Sequence, residues 1–435
     1  MKKTVSLVYG YSARNAGDFA ITLGAIDTLL AAGFRVKVFS RYRKGQRDFR
    51  TSSEALISRY GSAVEIEESP FSLDRGGGKL QALAGYVDGA LAMSGLRRKA
   101  AFRWKLLDAD LVVFNGGNLF RCHSLIDFTR LCALMYPLRV ACSAGKPVVI
   151  FPQSASRLNA WGKRLLLPVL EKARLAFFRE NLSFEYMRGL LPSVPFRQTI
   201  DLAFFIDKSR LPQAPVACRG KVALTLRFHS VGDIRLFPQE EIERIFARLG
   251  ALVSEVRKER ELVVIVQTDK DEALSEVFAR RNRLPLYKTN DVTELLSIYR
   301  SADLLVGMRL HSIILALSVG TPCAGLFYKE WGLKNPGMME AFRMPYEMMD
   351  GGDKAEDLSE SVMDLLAHRD ERSKAILEKV ADEEQRFTDC LKEIYTTENY
   401  HTHAHHRNDS SLGGAGWRDA PCSPAAGRVA PNRGG

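Results

Sequence analysis

Strand-like and helix-like segments alternate almost from the first residue, and this alternation limits the chain to a narrow set of folds. "KTVSLVYGY" is a short, β-rich apolar run. "GDFAITLGAIDTLLAAG" follows with apolar residues at helical spacing and stops at Gly33, and "FRVKVFSR" returns to a period of two. Strand, helix and strand in that order make a βαβ unit. "ADLVVFNGG" and "PVVIFPQS" read as buried strands, and "ARLAFFRENLSFEYMRGL" as a short strand followed by a helix. Residues 44–68 are polar and mixed. Residues 71–105 are weakly patterned, with "RGGGK" and a basic run at their end.

A second series begins at "KVALTLRFH". It continues with the helical "QEEIERIFARLGALVSEVRKE", the strand "RELVVIVQTD" and the helix "TELLSIYRSA". The strand "DLLVGMR", the helix "SIILALSVG" and the strand "PCAGLFY" follow, and residues 356–398 are charged and helical. Strands separated by helices pair in parallel and need helices on both faces of the sheet. At 435 residues the chain is too long for one ordinary domain and suits two or three. The expected fold is α/β, with two doubly wound parallel-sheet domains facing a cleft. They cover residues 1–208 and 209–398 and are joined near "IDKSRLPQAPVACRGK". Ligands in such folds lie at the carboxyl ends of strands. From residue 399 the chain is rich in Gly, Pro, Ala and Ser with almost no aliphatic residues, which predicts a disordered tail over 399–435. That tail holds four of the eight histidines, in a segment where a structured metal site is not expected.

Composition narrows the class further. The chain is 46% hydrophobic and 26% charged, as a globular protein with a real core should be. The seven cysteines are dispersed with no C-x-x-C pair, which points to reduced thiols and a cytoplasmic address. Arg14 and Asp18 would fall inside any signal core, so no signal peptide is expected. No apolar stretch reaches the ~20 residues that span a bilayer. The net charge of +11 fits either an acidic partner or a generically basic surface. The basic residues look spread out and no nucleic-acid module is recognised, so no nucleic-acid partner is expected. The run 93–105, "MSGLRRKAAFRWK", mixes Leu, Phe and Trp with five cations. It suits a surface meeting an acidic or membrane-borne acceptor, or equally a solvated basic helix.

Four stretches hold the candidate chemistry. In "GMRLHS", Arg309 and His311 lie just past an apolar strand, and Ser312 is placed to cap the next helix. A guanidinium fork, an imidazole and free helix N–H groups would meet an anion together there. In "YGYSARNAGDFAITLGA" a glycine-containing loop opens a helix, where Asp18 either caps the helix or acts chemically. "VVFNGGNLF" ends a buried strand in Gly116 and Gly117, which allow a tight turn or a close backbone approach to a ligand. Arg179, in "FFRENLSFEYM", and Asp201, in "TIDLAFF", stand at strand ends, where such residues usually face solvent or form an ion pair.

These segments, in this order, resemble the polysaccharide pyruvyl transferase family over roughly residues 5–350. The resemblance rests on "NAGDFAI" (15–21), "NGGNLF" (115–120), "FPQS" (151–154), "FRENLSFEYM" (178–187), "DLAF" (201–204) and "GMRLHSIILALSVGTPCAGLFY" (307–328), the last being the most specific. It implies a fold similar to B-type glycosyltransferases, with an acceptor side in the first domain and a donor side in the second. It also implies transfer of the enolpyruvyl unit of phosphoenolpyruvate onto two hydroxyls of a sugar in a cell-surface polysaccharide or its lipid-linked precursor. The product is a pyruvate ketal, and neither cofactor nor metal is required. On this reading His311, Asp18 and Asp201 are catalytic. Arg309, Arg179, Asn15, Gly17, Gly116, Gly117, Gln153, Ser312 and Lys329 contact substrate. Relatives often have a third glycine beside Gly116 and Gly117, a Gly-Pro-aromatic run after "PQS", and a lysine where this chain has Trp331. Lys329 or Lys334 offers a replacement for that lysine. The alternatives are a sugar-nucleotide glycosyltransferase of similar fold and a glycan-binding member without catalysis. Peripheral contact with the inner face of the membrane would suit a lipid-linked acceptor.

Overall fold

The computed structural model describes residues 2–73, 79–230, 235–332, 334–350 and 358–401. The first layer opens with β1 (Thr4–Gly10), α1 (Ala16–Ala31), β2 (Arg35–Ser40), α2 (Arg47–Tyr60) and β3 (Val64–Glu67). The weakly patterned stretch then forms α3 (Lys79–Met93) and α4 (Ala100–Leu107). It continues with β4 (Leu111–Phe114), β5 (Gly117–Cys122), α5 (Leu125–Ser143), β6 (Val148–Leu158), α6 (Ala160–Leu170), β7 (Leu175–Phe178), α7 (Asn181–Leu190) and β8 (Phe196–Gln198). The strands pair in the order β3-β2-β1-β4-β6-β7-β8, with β5 beside β6, and every pair is parallel.

The second layer comprises β9 (Val222–Thr225), α8 (Gln239–Val256), β10 (Leu262–Val266), α9 (Asp269–Arg281), β11 (Leu286–Lys288) and α10 (Val292–Ser301). After these come β12 (Leu304–Gly307), α11 (Leu310–Ser318), β13 (Cys323–Phe327), α12 (Lys334–Phe342), β14 (Tyr346–Met348) and α13 (Leu358–Ala367). Its order is β11-β10-β9-β12-β13-β14, again all parallel. Two parallel, doubly wound sheets are what the alternation predicts. Central strands such as "LVVF" in β4 and "LLVG" in β12 are buried at every residue, because helices cover both faces.

Strand order reverses between β1 and β4 in the first sheet and between β9 and β12 in the second. The crevice outside the carboxyl ends at such a reversal is where open α/β sheets bind ligands. Helix α1 leaves β1 at the first reversal and α11 leaves β12 at the second, and the two helices pack on each other. That explains the all-round apolar character of α1, which buries Ala16, Gly17, Phe19, Ala20 and Ile21 in its first turns.

Residues 1–392 form one compact unit. The last helix, α14 (Arg369–His401), does not stay with the second sheet. Its Phe387 inserts against Phe177, Phe151 and Phe205, with ring centroids 4.6, 5.3 and 5.3 Å away. The expected tail lies outside the described residues from 402 onward, and α14 runs through 399–401.

Candidate active site

The chain leaves the buried strand β12 and turns into α11 with Arg309 at the N-cap position, its backbone extended (φ −109°, ψ 127°). Ser312 is therefore not the cap expected from sequence. The helix starts at Leu310, so Ser312 falls within its first turn. Its Oγ donates to the Arg309 carbonyl at 2.7 Å and lies 2.8 Å from Thr225 Oγ1, at full burial. A hydroxyl held this way fastens the turn to the end of β9.

Arg309 is held within the second layer. Its Nε donates to Oδ2 of Asp271, a buried carboxylate on α9, and His229 Nδ1 lies 3.4 Å from the other oxygen. A guanidinium held by a buried acid is fixed in direction, as an anion clamp requires.

His311 faces the other way, into the first layer. A Cβ built on Gly17 would lie 2.5 Å from His311 Cγ and 2.8 Å from its Cβ. Position 17 thus admits the histidine only because it has no side chain. Gly17 is buried and touches His311, so its role is to make room for that ring. His311 Nε2 is enclosed without a hydrogen-bond partner. Burial lowers the pKa of His311. Asp18 and Asp201 oppose that shift and Arg179 and Lys334 reinforce it. The imidazole is neutral at physiological pH, with two carboxylates and two cations acting on it.

Those four groups come from separate elements. Arg179 follows β7 and is nearly enclosed. It donates from Nη1 to Asp201 Oδ2 and from Nε to Ser154 Oγ at 2.7 Å. Burial disfavours its charge, but Asp201 and Glu180 outweigh burial and raise its pKa. Asp201 also accepts from the Ala203 amide at 2.9 Å. Arg179 and Asp201 thus form a buried ion pair and do not stand apart at strand ends. Asp18, in the first turn of α1, accepts from Asn15 Nδ2 at 2.8 Å. Asn15 occupies the N-cap position without capping, and its amide orients the carboxylate.

Lys334 begins α12. Burial, and next the Arg179 charge, push its pKa down. Of the two replacement lysines, this is the one brought to the cluster. Lys329 is exposed against Asp350 and is not among the residues lining the adjoining cavity. That cavity encloses about 750 Å³ and is lined by Arg179, Asp201, Leu310, Ile314 and Lys334 among others. His311 itself is not part of its lining, though its neighbour Leu310 is.

The glycine pair after β4 makes the tight turn and close approach that its residues allow. Gly117 has φ +135°, and a Cβ there would overlap the Tyr11 hydroxyl. Tyr11 donates to the Gly116 carbonyl at 2.9 Å, and the Gly116 amide donates to Asn115 Oδ1 at 2.9 Å. The turn therefore houses a tyrosine, and the close approach there is a side chain of the protein itself. Gln153 is fully buried and donates from Nε2 to the Asn115 carbonyl, while its Oε1 has no partner. It braces the turn from beneath.

Sequence reasoning missed Tyr11, Asp271 and Arg227. Arg227 lies just past β9 and stacks its guanidinium 4.4 Å from the Trp331 ring, whose Nε1 donates to the His229 carbonyl at 3.0 Å. Trp331, standing where relatives often have lysine, is thus a buried aromatic shelf. A strand-end arginine followed in space by an aromatic leaves no local pattern, so no signal marked it. Among the described residues no group of three or more His, Cys, Asp or Glu is arranged to hold a metal ion.

Comparison with known proteins agrees with this architecture. The family model described as polysaccharide pyruvyl transferase matches residues 15–330. No curated protein matches the sequence significantly. Among solved structures, a UDP-N-acetylglucosamine 2-epimerase aligns at TM-score 0.57 and 13% identity, covering 95% of this chain and 100% of the other. Phytolacca americana UGT2, complexed with UDP-2fluoro-glucose and pterostilbene, aligns at TM-score 0.54 and 12% identity, covering 91% and 99%. TcCGT1 in complex with UDP aligns at 0.55 and 10%, covering 90% and 100%. At such identities the likeness is one of fold, the two-layer arrangement of B-type glycosyltransferases and epimerases.

Proposed function

The chain belongs to the polysaccharide pyruvyl transferase family, and we propose that it moves the enolpyruvyl unit of phosphoenolpyruvate onto two hydroxyls of one sugar. The observation that carries this reading is His311. It is a neutral imidazole with an unpartnered Nε2, wedged between the layers beside Asp18, Asp201, Arg179 and Lys334.

The reaction needs a proton delivered to the methylene carbon of the donor, which becomes a methyl group and leaves an oxocarbenium-like centre at C2. One sugar hydroxyl adds there and loses its proton. The bond from C2 to the phosphate oxygen breaks, and the second hydroxyl closes the ketal. Of the two hydroxyl protons, one is matched by the proton gained by the methyl group and the other by the one that leaves with phosphate. A neutral His311 is suited to accept a hydroxyl proton, and binding of a highly charged donor would raise its affinity for that proton. Asp18, in the first turn of α1, is the carboxylate left to assist His311. Asp201 is committed to Arg179, so its part is to hold that guanidinium. Arg179, Lys334, Arg309 and Arg227 supply the positive charge that a carboxylate and a phosphate on one small molecule require. The acceptor would meet the first layer, as a sugar alone or on a lipid carrier, with the domain boundary near residue 208.

The test is phosphate release from phosphoenolpyruvate against a panel of lipid-linked and nucleotide-linked sugars, with proton NMR for the ketal methyl. Consumption of a nucleotide sugar without phosphoenolpyruvate would place the chain among the glycosyltransferases. Failure to bind phosphoenolpyruvate at all would leave a glycan-binding protein.

A further inference from the structure

Charge and exposed apolar surface coincide on one side of the first layer. Residues 79–170 hold 13 Lys and Arg against 4 Asp, a net +9 of the chain's +11. The positive charge is therefore concentrated in one segment, contrary to the impression of an even spread. The same segment carries eight exposed large apolar side chains; Leu96 and Trp104 lie in the run 93–105, and the other six fall on three neighbouring helix faces. Leu80, Leu83 and Val87 are 85%, 44% and 47% exposed and follow i, i+3, i+7 spacing along α3. Leu125 and Ile126 open α5, and Trp161 opens α6.

These residues share one surface because of how the helices lie. A Cβ on Gly89 of α3 would meet Ala133 of α5, and Arg139, a turn and a half further along α5, donates to the Met93 carbonyl at the end of α3. The two helices therefore run parallel, and counting back nine residues from Gly89 brings Leu80 level with the start of α5. Phe128 of α5 meets Trp161 edge-on, with centroids 6.1 Å apart. α5 and α6 each follow a strand, so their first turns lie at the carboxyl edge of the sheet, the same edge that carries Asp18 and Gly116. Lys163 and Arg164 follow Trp161 on α6, exposed Arg157 lies close in sequence to its start, and Arg121 pairs with Asp127 of α5 at 3.8 Å.

We propose that this face, formed by α3 and the first turns of α5 and α6, docks on an anionic lipid membrane. Apolar side chains that enter the acyl boundary, a tryptophan at headgroup level and a surplus of cations are the components of an interfacial surface. The charge decides the occupant: a second copy of this chain would bring Arg157, Lys163 and Arg164 against their own kind, whereas an anionic bilayer is complementary. The face differs from the basic run 93–105 expected from sequence. In that run Arg97 and Lys99 share the single carboxylate of Asp88, and Lys105 pairs with Glu67. The inference rests on the fold and not on the donor chemistry, so membrane binding and ketal formation can fail separately.

The test uses the full chain with vesicles of phosphatidylcholine containing none or about a third phosphatidylglycerol, read by co-sedimentation, with light scattering for mass. The expected result is binding to the anionic vesicles only. The partition coefficient should fall at least tenfold in Leu80→Ser/Leu83→Ser/Trp161→Ser, with melting temperature and phosphate release on a water-soluble acceptor unchanged. Lys163→Glu/Arg164→Glu should weaken binding in the same way. Equal binding by the triple variant, no binding by the parent chain, or a dimer that the triple variant dissociates would each overturn the proposal.

Discussion

Gly17→Ala should cripple this protein through a single methyl group. The added Cβ would lie 2.5 Å from His311 Cγ, whereas ordinary contact begins near 3.4 Å, so the ring must retreat by the difference, 0.9 Å. Turning the ring about its own Cα–Cβ bond does not cure this, because His311 Cβ is itself only 2.8 Å from the new atom. Either the first turn of α11 moves or α1 and α11 separate. Overpacking of this kind costs about 1–3 kcal/mol. A displacement of about 1 Å at a reacting group costs on the order of 10² in rate. We therefore expect kcat for phosphate release to fall about a hundredfold and the thermal midpoint to drop, with the fold retained by circular dichroism. In a His311→Ala background the ring is gone, so most of the melting penalty of Gly17→Ala should vanish. Parent-like turnover and melting in Gly17→Ala would show that His311 is not held where we place it, and the argument for the site would fail.

The remaining predictions concern the same cluster. His311→Asn should bind phosphoenolpyruvate comparably by calorimetry yet lose on the order of 10²–10⁴ in turnover, as expected for a proton-transfer group. The folded pKa of His311 is lowered, so below about pH 6.5 the unfolded chain takes up a proton there that the folded chain refuses. Stability should then be lost as pH falls from 6.5 through the folded value, and His311→Asn should flatten that part of a denaturation-versus-pH curve. Arg179→Met alone strands the buried Asp201 carboxylate and should cost about 3–5 kcal/mol. Arg179→Met/Asp201→Leu should recover much of that stability in denaturant titration while remaining inactive. Burial pushes the Cys132 thiol up to about 11 and raises Cys323 and Cys218. A thiol reagent should therefore leave these three unlabelled until the protein is unfolded.

The architecture was legible because periodicity is a local property. The central strands, and helices such as α8 and α10, report their partner layer through their own spacing of apolar residues, whereas the short strands β3, β8, β11 and β14, and β5 after its glycine turn, carry too few apolar residues to show a period. The site was legible only in part. Arg309 and His311 stand out because charged groups beside buried strands are costly unless used. Their destinations were not readable: Arg309 turns back to Asp271 on α9, and His311 crosses to Gly17, almost three hundred positions earlier in the chain. Lys334 sits in "WGLKNPGM", where nothing in the local pattern separates it from the exposed Lys329 nearby. Phe387 was hidden for the converse reason. A single phenylalanine among the charges of α14 looks like part of a solvated helix until the helix is laid on the other sheet.

That placement of α14 has a consequence in time. The aromatic group of Phe151, Phe177 and Phe205 belongs to the first layer, but its closing member is near the far end of the chain. On a ribosome adding roughly 5–20 residues per second, about 10–40 s separate synthesis of Phe205 from that of Phe387. For that interval the first layer exists with an uncovered aromatic face, exposed to chaperones and to other nascent chains. A chain truncated before residue 387 never leaves that condition. The hazard in making this protein lies in its first half, while the residue that ends the hazard is encoded close to its last.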